Sequence, residues 1–426
     1  MQNSIRVFKL TILFSNFIFA LNIAQADQKI TFQQAIELTI QNNLELQASH
    51  ESLKASEYKR KSATSSFLPN ASASLSYDKA RNESLGGTTT NSSTHSATLS
   101  LGHNLFNGFQ DSANLAIADS KILNEEANLQ DTKAQISFDL KNALANYFYA
   151  KDSLLLSRDI KKRREDNMRM VELRFESGRE NKGSLLLSKA YLEQAKLDLT
   201  RAENALNISK TFLRRVLNLA EDNIFEITEL PPALSAPSDP NFNLLIENTP
   251  TAKRFKAALA TAVSNHQVSK SEFYPAWDLS ASLAKTGEHF FPNSNKRLVA
   301  GTSLTWSFFD GGKDFYSTKS STLLVKAAEK KLENENLEIR RILEETLAAF
   351  DESITSVKVS NAFLEAAKVR ADISRSKYNN GLSTFEDWDL IENDLINRQR
   401  DYTLKIRDRL IAEAAWEKNQ GTGVIP

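Results

Sequence analysis

Apolar and polar positions along this chain follow two rhythms. After Pro69, apolar and small polar side chains alternate: Ala71, Ala73, Leu75 and Tyr77 point one way, Ser72, Ser74, Ser76 and Asp78 the other. A period of two belongs to a strand with one apolar and one wet face. The polar stretch 82–94, with Gly86-Gly87 inside it, leads to a second alternating run, Ala97, Leu99, Leu101 and Leu105 against Ser96, Thr98, Ser100 and Asn104. The pattern predicts a hairpin with strands at about 71–80 and 95–106. It returns at about 277–285 and 297–309, where Trp277, Leu279, Ala281 and Leu283 alternate with Asp278, Ser280 and Ser282, and Leu304, Trp306 and Phe308 with Ser303, Thr305 and Ser307.

Between these runs the period lengthens to seven. Neither glycine nor proline occurs from about residue 111 to 177, and Leu115, Ile122, Leu129 and Ile136 recur at heptad spacing. At 1.5 Å per residue such a helix runs roughly 100 Å. After a break at 178–183, Leu185, Leu192, Leu199, Leu206 and Leu213 form a second heptad, with Ser188, Ala195, Ala202 and Ser209 three residues behind. Small residues beside the leucines let neighbouring helices approach closely. Val325, Leu332 and Ile339, then Trp388, Leu395 and Tyr402, repeat the arrangement, so the helices are placed at about 111–177, 184–218, 313–377 and 384–418. Heptads alone describe an ordinary coiled coil; the hairpins are what a soluble coiled coil has no use for.

The two halves are copies. Phe67-Leu68-Pro69 matches Phe273-Tyr274-Pro275 at a spacing of 206, while Leu105-Phe106-Asn107-Gly108 matches Phe308-Phe309-Asp310-Gly311 and Arg174-Phe175-x-x-Gly178 matches Lys377-Tyr378-x-x-Gly381, both at 203. A spacing held over so long a stretch implies two equivalent units, here 27–220 and 251–426. The segment 221–250, with five prolines, reads either as an irregular connector wrapping the outside or as a flexible linker.

Composition narrows the compartment. Arg6 and Lys9, an apolar run from Leu10 to Ile23 and then Ala24-Gln25-Ala26 predict a signal peptide over 1–26, cleaved after Ala26. A membrane anchor fits less well, since Ser15, Asn16 and Asn22 interrupt the run. The chain has no cysteine, so disulfides and a cysteine-linked lipid are excluded. Basic and acidic residues number 53 each, which gives no reason to expect nucleic acid. After Ile23 no apolar run reaches the roughly 20 residues of a spanning helix, so any membrane crossing must use strands closed into a barrel. Four strands cannot close one, because the smallest such barrels have about eight. Several chains must then share it, and strand counting does not choose among two, three or four. Phe67, Phe106, Phe273, Tyr274, Trp277, Trp306, Phe308 and Phe309 gather where strands meet helices, either as a girdle at a membrane interface or as core plugs at the junctions.

Taken in order, the Phe-x-Pro junctions at Pro69 and Pro275, the Asn-Gly and Asp-Gly strand exits and the glycine turns resemble the TolC family of outer-membrane efflux proteins, over essentially the whole mature chain. The resemblance implies an α+β membrane protein made of a duplicated helix-strand-strand-helix-helix unit. Three chains would form a twelve-stranded β-barrel continued by a long α-helical barrel through the periplasm of a Gram-negative-type bacterium. It implies a homotrimer in outer membrane lipid, served by a periplasmic adaptor (membrane fusion) protein and an inner-membrane ABC or proton-driven transporter. It places Tyr378 and Asp387 at the periplasmic gate. The turns carrying Arg174, Phe175, Gly178, Arg179 and Gly183, and Gly381, Leu382 and Ser383, would contact the adaptor. Leu390 and Ser383 depart from members that carry an acid and an arginine there, which implies a closure with fewer ionic ties. More plainly, the glycines permit left-handed turns and Asp387 favours a helix start.

Site chemistry is absent from the sequence. The histidines His50, His95, His103, His266 and His289 show no metal-ligand spacing, Gly311-Gly312-Lys313 lacks the first glycine of a phosphate loop, and no G-x-S-x-G elbow occurs. No cofactor or enzymatic activity is expected. The expected function is a passive exit duct for a tripartite efflux or type I secretion system; a secreted trimeric coiled-coil adhesin or stalk is the alternative.

Overall fold

The computed structural model describes residues 28–83, 85–87, 89–220 and 225–426. The expected signal peptide and its cleavage site at Ala26 lie outside the described residues. In chain order the elements are β1 (Gln28–Ile30), α1 (Phe32–Asn42), α2 (Leu44–Thr64), β2 (Asn70–Glu83), β3 (Thr89–Asn107), α3 (Gln110–Glu176), α4 (Lys182–Leu217), β4 (Phe225–Ile227) and α5 (Phe242–Asn248), then α6 (Pro250–Ser271), β5 (Ala276–Gly287), β6 (Asn295–Thr305), α7 (Lys313–Asn379) and α8 (Phe385–Gln420). Both α3 and α7 have 67 residues, and both α4 and α8 have 36. Each pair starts 203 positions apart, so the spacing seen in the motifs is the spacing of the helices.

The two hairpins join into one antiparallel sheet in the order β2-β3-β5-β6. Its register sorts the side chains by face. Ala73, Leu99, Leu283 and Leu298 form one row, and Ser72, Ser100, Ser282 and Val299 the adjacent row on the other face. A break in register between Asn104 and Phe106 inserts one residue into β3 and sets Phe106 opposite Trp277. Strict alternation from Leu101 through Leu105 misses this bulge, which switches the face of every later residue. β6 stops at Thr305, short of the run expected to 309, because its partner Ala276 is preceded by Pro275, which has no N–H to continue the ladder. Among the described residues, the outer edges of β2 and β6 have no strand partner.

Among the helices, α3 is central. It packs against α2, α4, α6 and α8, whereas α7 packs against α6 and α8. In α4 the heptad leucines Leu185, Leu192 and Leu213 are buried together with Ser188, Ala195, Ala202 and Ser209. Near mid-height, β1 and β4 pair in parallel and bury Ile30, Phe225 and Ile227 against Leu140, Leu144, Tyr147 and Leu213. The segment between the halves is neither free nor wholly irregular: it holds β4 and α5, the Leu234 N–H donates to Glu413 Oε2 at 3.0 Å, and Arg409 donates to the Leu234 carbonyl at 2.7 Å. Beside it Lys141 of α3 is buried between Glu413 at 3.0 Å and Glu417 at 2.8 Å of α8. That charge is tolerated because two carboxylates replace its water. Among the described residues, no helix is long and apolar enough to cross a membrane.

Candidate functional site at the helix tips

Each long hairpin turns through a glycine. At the first, Gly178 has φ 71°, the Gly178 N–H donates to the Phe175 carbonyl at 2.9 Å and the Arg179 N–H to the Arg174 carbonyl at 2.8 Å. At the second, Gly381 has φ 73°, with matching bonds from Gly381 to Tyr378 at 3.0 Å and from Leu382 to Lys377 at 2.8 Å. This 6→1 and 5→2 pair closes a helix on a left-handed residue, where a side chain would be strained. The next helices start on side-chain caps: the Ser184 N–H donates to Asn181 Oδ1 at 2.9 Å, and the Asp387 N–H to Thr384 Oγ1 at 3.1 Å.

Although the turns match, the side chains beneath them do not. Tyr378, on the last turn of α7, is only 1% exposed. Its ring stacks on Trp388 with centroids 4.6 Å apart and planes 5° apart, and meets Phe385 edge-on at 6.3 Å. The Arg174 guanidinium, from the first repeat, sits 4.3 Å over the same ring. The phenol donates to Glu180 Oε2 at 2.9 Å, also from the first repeat. Burial, then the bond to Glu180, pushes the Tyr378 phenol up to about 12, so it stays a neutral donor through the physiological range. Val171 and Leu185 complete the cluster, so the first hairpin wraps a core seeded by the second.

Below the aromatic cluster lies a layer of buried charge between α3 and α8. Arg164 pairs with Asp389 at 3.1 Å, bonds Asn393, and stacks 4.5 Å over Tyr191. Arg163 and Arg375 each approach Glu392 at 3.3 Å, with Glu392 itself 1% exposed. Desolvation lowers the Arg163 pKa, an effect the Glu392 charge opposes. This end thus carries a dense set of ion pairs within one chain, made by residues other than Ser383 and Leu390.

The other residues singled out by sequence are placed as follows. Phe175 is 37% exposed and Leu382 75% exposed at the extreme end, with Arg179 exposed beside Gly178. Gly183 lies in the first turn of α4, and Ser383 is half-buried in the second turn. Asp387 is exposed and accepts from Thr384 Oγ1 at 2.8 Å, a reciprocal cap at the start of α8; it does not touch Tyr378. At the far end of the helices, Phe106, Phe109 and Tyr274 form a cluster of edge-on rings at 5.1–6.5 Å. Trp277 Nε1 donates to Thr302 at 2.6 Å and Trp306 Nε1 to the Phe273 carbonyl at 3.2 Å, while Phe308, Phe309 and Phe67 stand exposed around the junction.

Sequence reasoning missed Glu180, Arg163, Arg164, Arg375, Phe385, Asp389 and Glu392. Some of these carried a signal. On α3, Ile160, Arg164, Asn167 and Val171 follow the helical period as one buried stripe, with two polar residues in core positions. Glu392 falls between Trp388 and Leu395 on the same α8 face. A charge on an apolar stripe asks for a partner, but which helix supplies it is not written in either stripe.

A family model described as outer membrane efflux protein matches residues 35–219 and 242–421, and the chain belongs to that family. It is an outer-membrane channel through which solutes leave the cell. Among solved structures it resembles the outer membrane protein VceC of Vibrio cholerae, with TM-score 0.80 and 17% identity over 92% of this chain and 96% of that one. The Campylobacter jejuni CmeC outer membrane channel gives TM-score 0.80 and 14% identity over 99% and 94%. The open state of the Neisseria gonorrhoeae MtrE outer membrane channel gives 0.77 and 18% over 92% and 89%. At such identities these likenesses concern the fold. No curated protein matches the sequence at a significant level.

Proposed function

We propose that the chain is a passive conduit that spans the outer membrane as a trimer, extends through the periplasm, and is coupled by a periplasmic adaptor to an ABC or proton-driven pump in the inner membrane. The observation that carries this is the sheet of four strands with both outer edges free and one face apolar, borne on helices of 67 residues. Unpaired edges demand strand partners, and β6 of one copy beside β2 of the next supplies them without leaving an edge. At 1.5 Å per residue the helices reach roughly 100 Å from the barrel, far enough to meet an adaptor. Mass measurement in mild detergent is expected to give three chains, and planar-bilayer recordings a stable conductance. A monomer that conducts would defeat the shared barrel.

The tips serve as gate and docking site in this reading. Tyr378, held by Arg174 and Glu180, fastens the α7–α8 hairpin to the α3–α4 hairpin, so a wider entrance requires that contact to part. Asp387 is exposed beside it and adds a ring of negative charge, one per chain, around the axis. In bilayer recordings Asp387→Asn lowers cation selectivity while Asp351→Asn, far up α7, leaves it unchanged; equal selectivity in all three proteins would remove Asp387 from the gate. Bulky substitutions at Arg179 or Leu382 reduce export while sparing insertion, and normal export in both variants would rule out docking there.

A further inference from the structure

We propose that Lys285 and Lys296, side by side on the apolar face of the sheet at its hairpin end, bind the phosphate of an anionic lipid in the outer leaflet of the membrane. The proposal rests on the barrel reading above, in which the apolar face meets lipid. Strand register places the two lysines directly opposite each other, in one row with Ala97 and Leu75. The next row of that face towards the helices is Ala73, Leu99, Leu283 and Leu298, and the next towards the loops contains Tyr77, His95 and Gly287. A pair of cations thus lies between a row of leucines and an aromatic fringe, where Tyr77 and His95 stack at 4.7 Å and Phe290 approaches His95 at 6.2 Å.

Like charges in directly opposed positions repel. Among the described residues neither lysine has an ion pair or side-chain hydrogen bond, and both are exposed. Nearby acids are otherwise engaged or elsewhere: Glu83 holds Arg81 at 2.7 Å, Asp78 and Asp278 are on the opposite face, and Glu288 lies in the loop without reaching them. The pair is therefore left open to an anion from outside the chain.

Depth selects the kind of anion. From Trp277 to Lys285 the strand rises about 27 Å, or about 20 Å along the membrane normal at the usual barrel tilt, against an apolar band about 25 Å tall. With the Trp277 ring at one interface, the lysine stems cross the last of the apolar band and their ammonium groups reach the opposite headgroup layer. A charge is nearly free of cost there and expensive at mid-depth. Two ammonium groups on neighbouring strands present several donors to one phosphate, and a phosphate monoester, with its charge of about −1.5 to −2, answers both best. An acyl-chained phosphate meets both the cations and the leucine row beneath; a free phosphate meets only the cations.

The test uses the full chain purified in dodecyl maltoside and incubated with diphosphorylated lipid A, with dephosphorylated lipid A of the same acyl chains, or with inorganic phosphate. Lipid retained after gel filtration is measured by mass spectrometry. The wild type is expected to retain the diphosphorylated lipid, K285Q/K296Q about thirtyfold less, and K285R/K296R and the opposite-face variant R297Q as much as the wild type. Equal retention by wild type and K285Q/K296Q overturns the site, as does equal retention of dephosphorylated lipid or complete displacement by inorganic phosphate. Conductance separates this from the barrel reading. A wild type that retains phosphorylated lipid but carries no current overturns the barrel and leaves the lysine pair standing, whereas one that conducts but ignores the phosphate overturns the pair alone.

Discussion

The helices α3 and α7 have the same length and the same place in their repeats, yet 21 residues of α3 are buried and only 10 of α7. Pairing positions 203 apart shows where they part. Leu140 and Leu343 are both fully buried, as are Tyr147 and Phe350. But Ala134, 1% exposed, corresponds to Leu337 at 66%, and Ile160, 3% exposed, to Phe363 at 53%. On α3 both positions are covered by neighbouring helices of the same chain. On α7 both hold larger apolar side chains that the described residues leave exposed, as α7 stands at the edge of the helical layer. The duplicated unit thus carries two kinds of long helix, one largely sealed by its own chain and one left with exposed apolar positions, and the side chains have diverged to match.

The largest break in this comparison is expected where charge is buried on only one of the two. Lys141 is enclosed by Glu413 and Glu417, while its counterpart Glu344 is half-exposed beside Arg340 at 3.5 Å. Lys141→Met should cost about 3–5 kcal/mol in chemical unfolding, since it strands buried carboxylates. Glu344→Gln should cost less than about 0.5 kcal/mol. Equal costs would mean that α7 is as enclosed as α3.

Next in size is the difference between Ile160 and Phe363. Ile160→Ala should destabilise the chain by about 2–4 kcal/mol through the cavity it leaves. Phe363→Asp should leave the fold of a single chain intact and instead weaken association, read by light scattering as a shift from trimer towards monomer. A full-sized trimer for Phe363→Asp at every concentration would show that this face is not where chains meet.

The tips sharpen the contrast on a smaller scale. Position 175 holds an exposed Phe where 378 holds a buried Tyr. Tyr378→Phe removes a hydrogen bond to a carboxylate, worth about 1.5–3 kcal/mol, and should raise conductance by favouring the open entrance; Phe175→Ala should leave conductance unchanged. The smallest effect is with pH. An unfolded tyrosine loses its proton near pH 10, whereas folded Tyr378 keeps it to about 12. The folded state holds the extra proton in that window, so the stability contributed below pH 10 is lost as pH rises towards 12. Unfolding midpoints should fall more steeply there for the wild type than for Tyr378→Phe, and parallel curves would refute the assignment.

By itself the sequence carried the repeat and the two rhythms, alternating strand and long heptad helix, because each rests on local chemistry. Alternation and heptads are statements about one strand or one helix face, and the 203-residue spacing is a count. The glycine turns at 178 and 381 were legible for the same reason, since left-handed backbone is a property of one residue. What tertiary structure alone decided are the relations between segments. The bulge at Leu105, which sets Phe106 against Trp277, depends on the partner strand. So does the pairing of Lys285 with Lys296, because an even or odd position names a face but not a neighbour. At the tips, nothing local to Tyr378 specifies Glu180, 198 residues earlier, and nothing local to Arg164 specifies Asp389, 225 residues later. Such partners are chosen by how two hairpins lie against each other, and a buried polar group reveals only that it needs one.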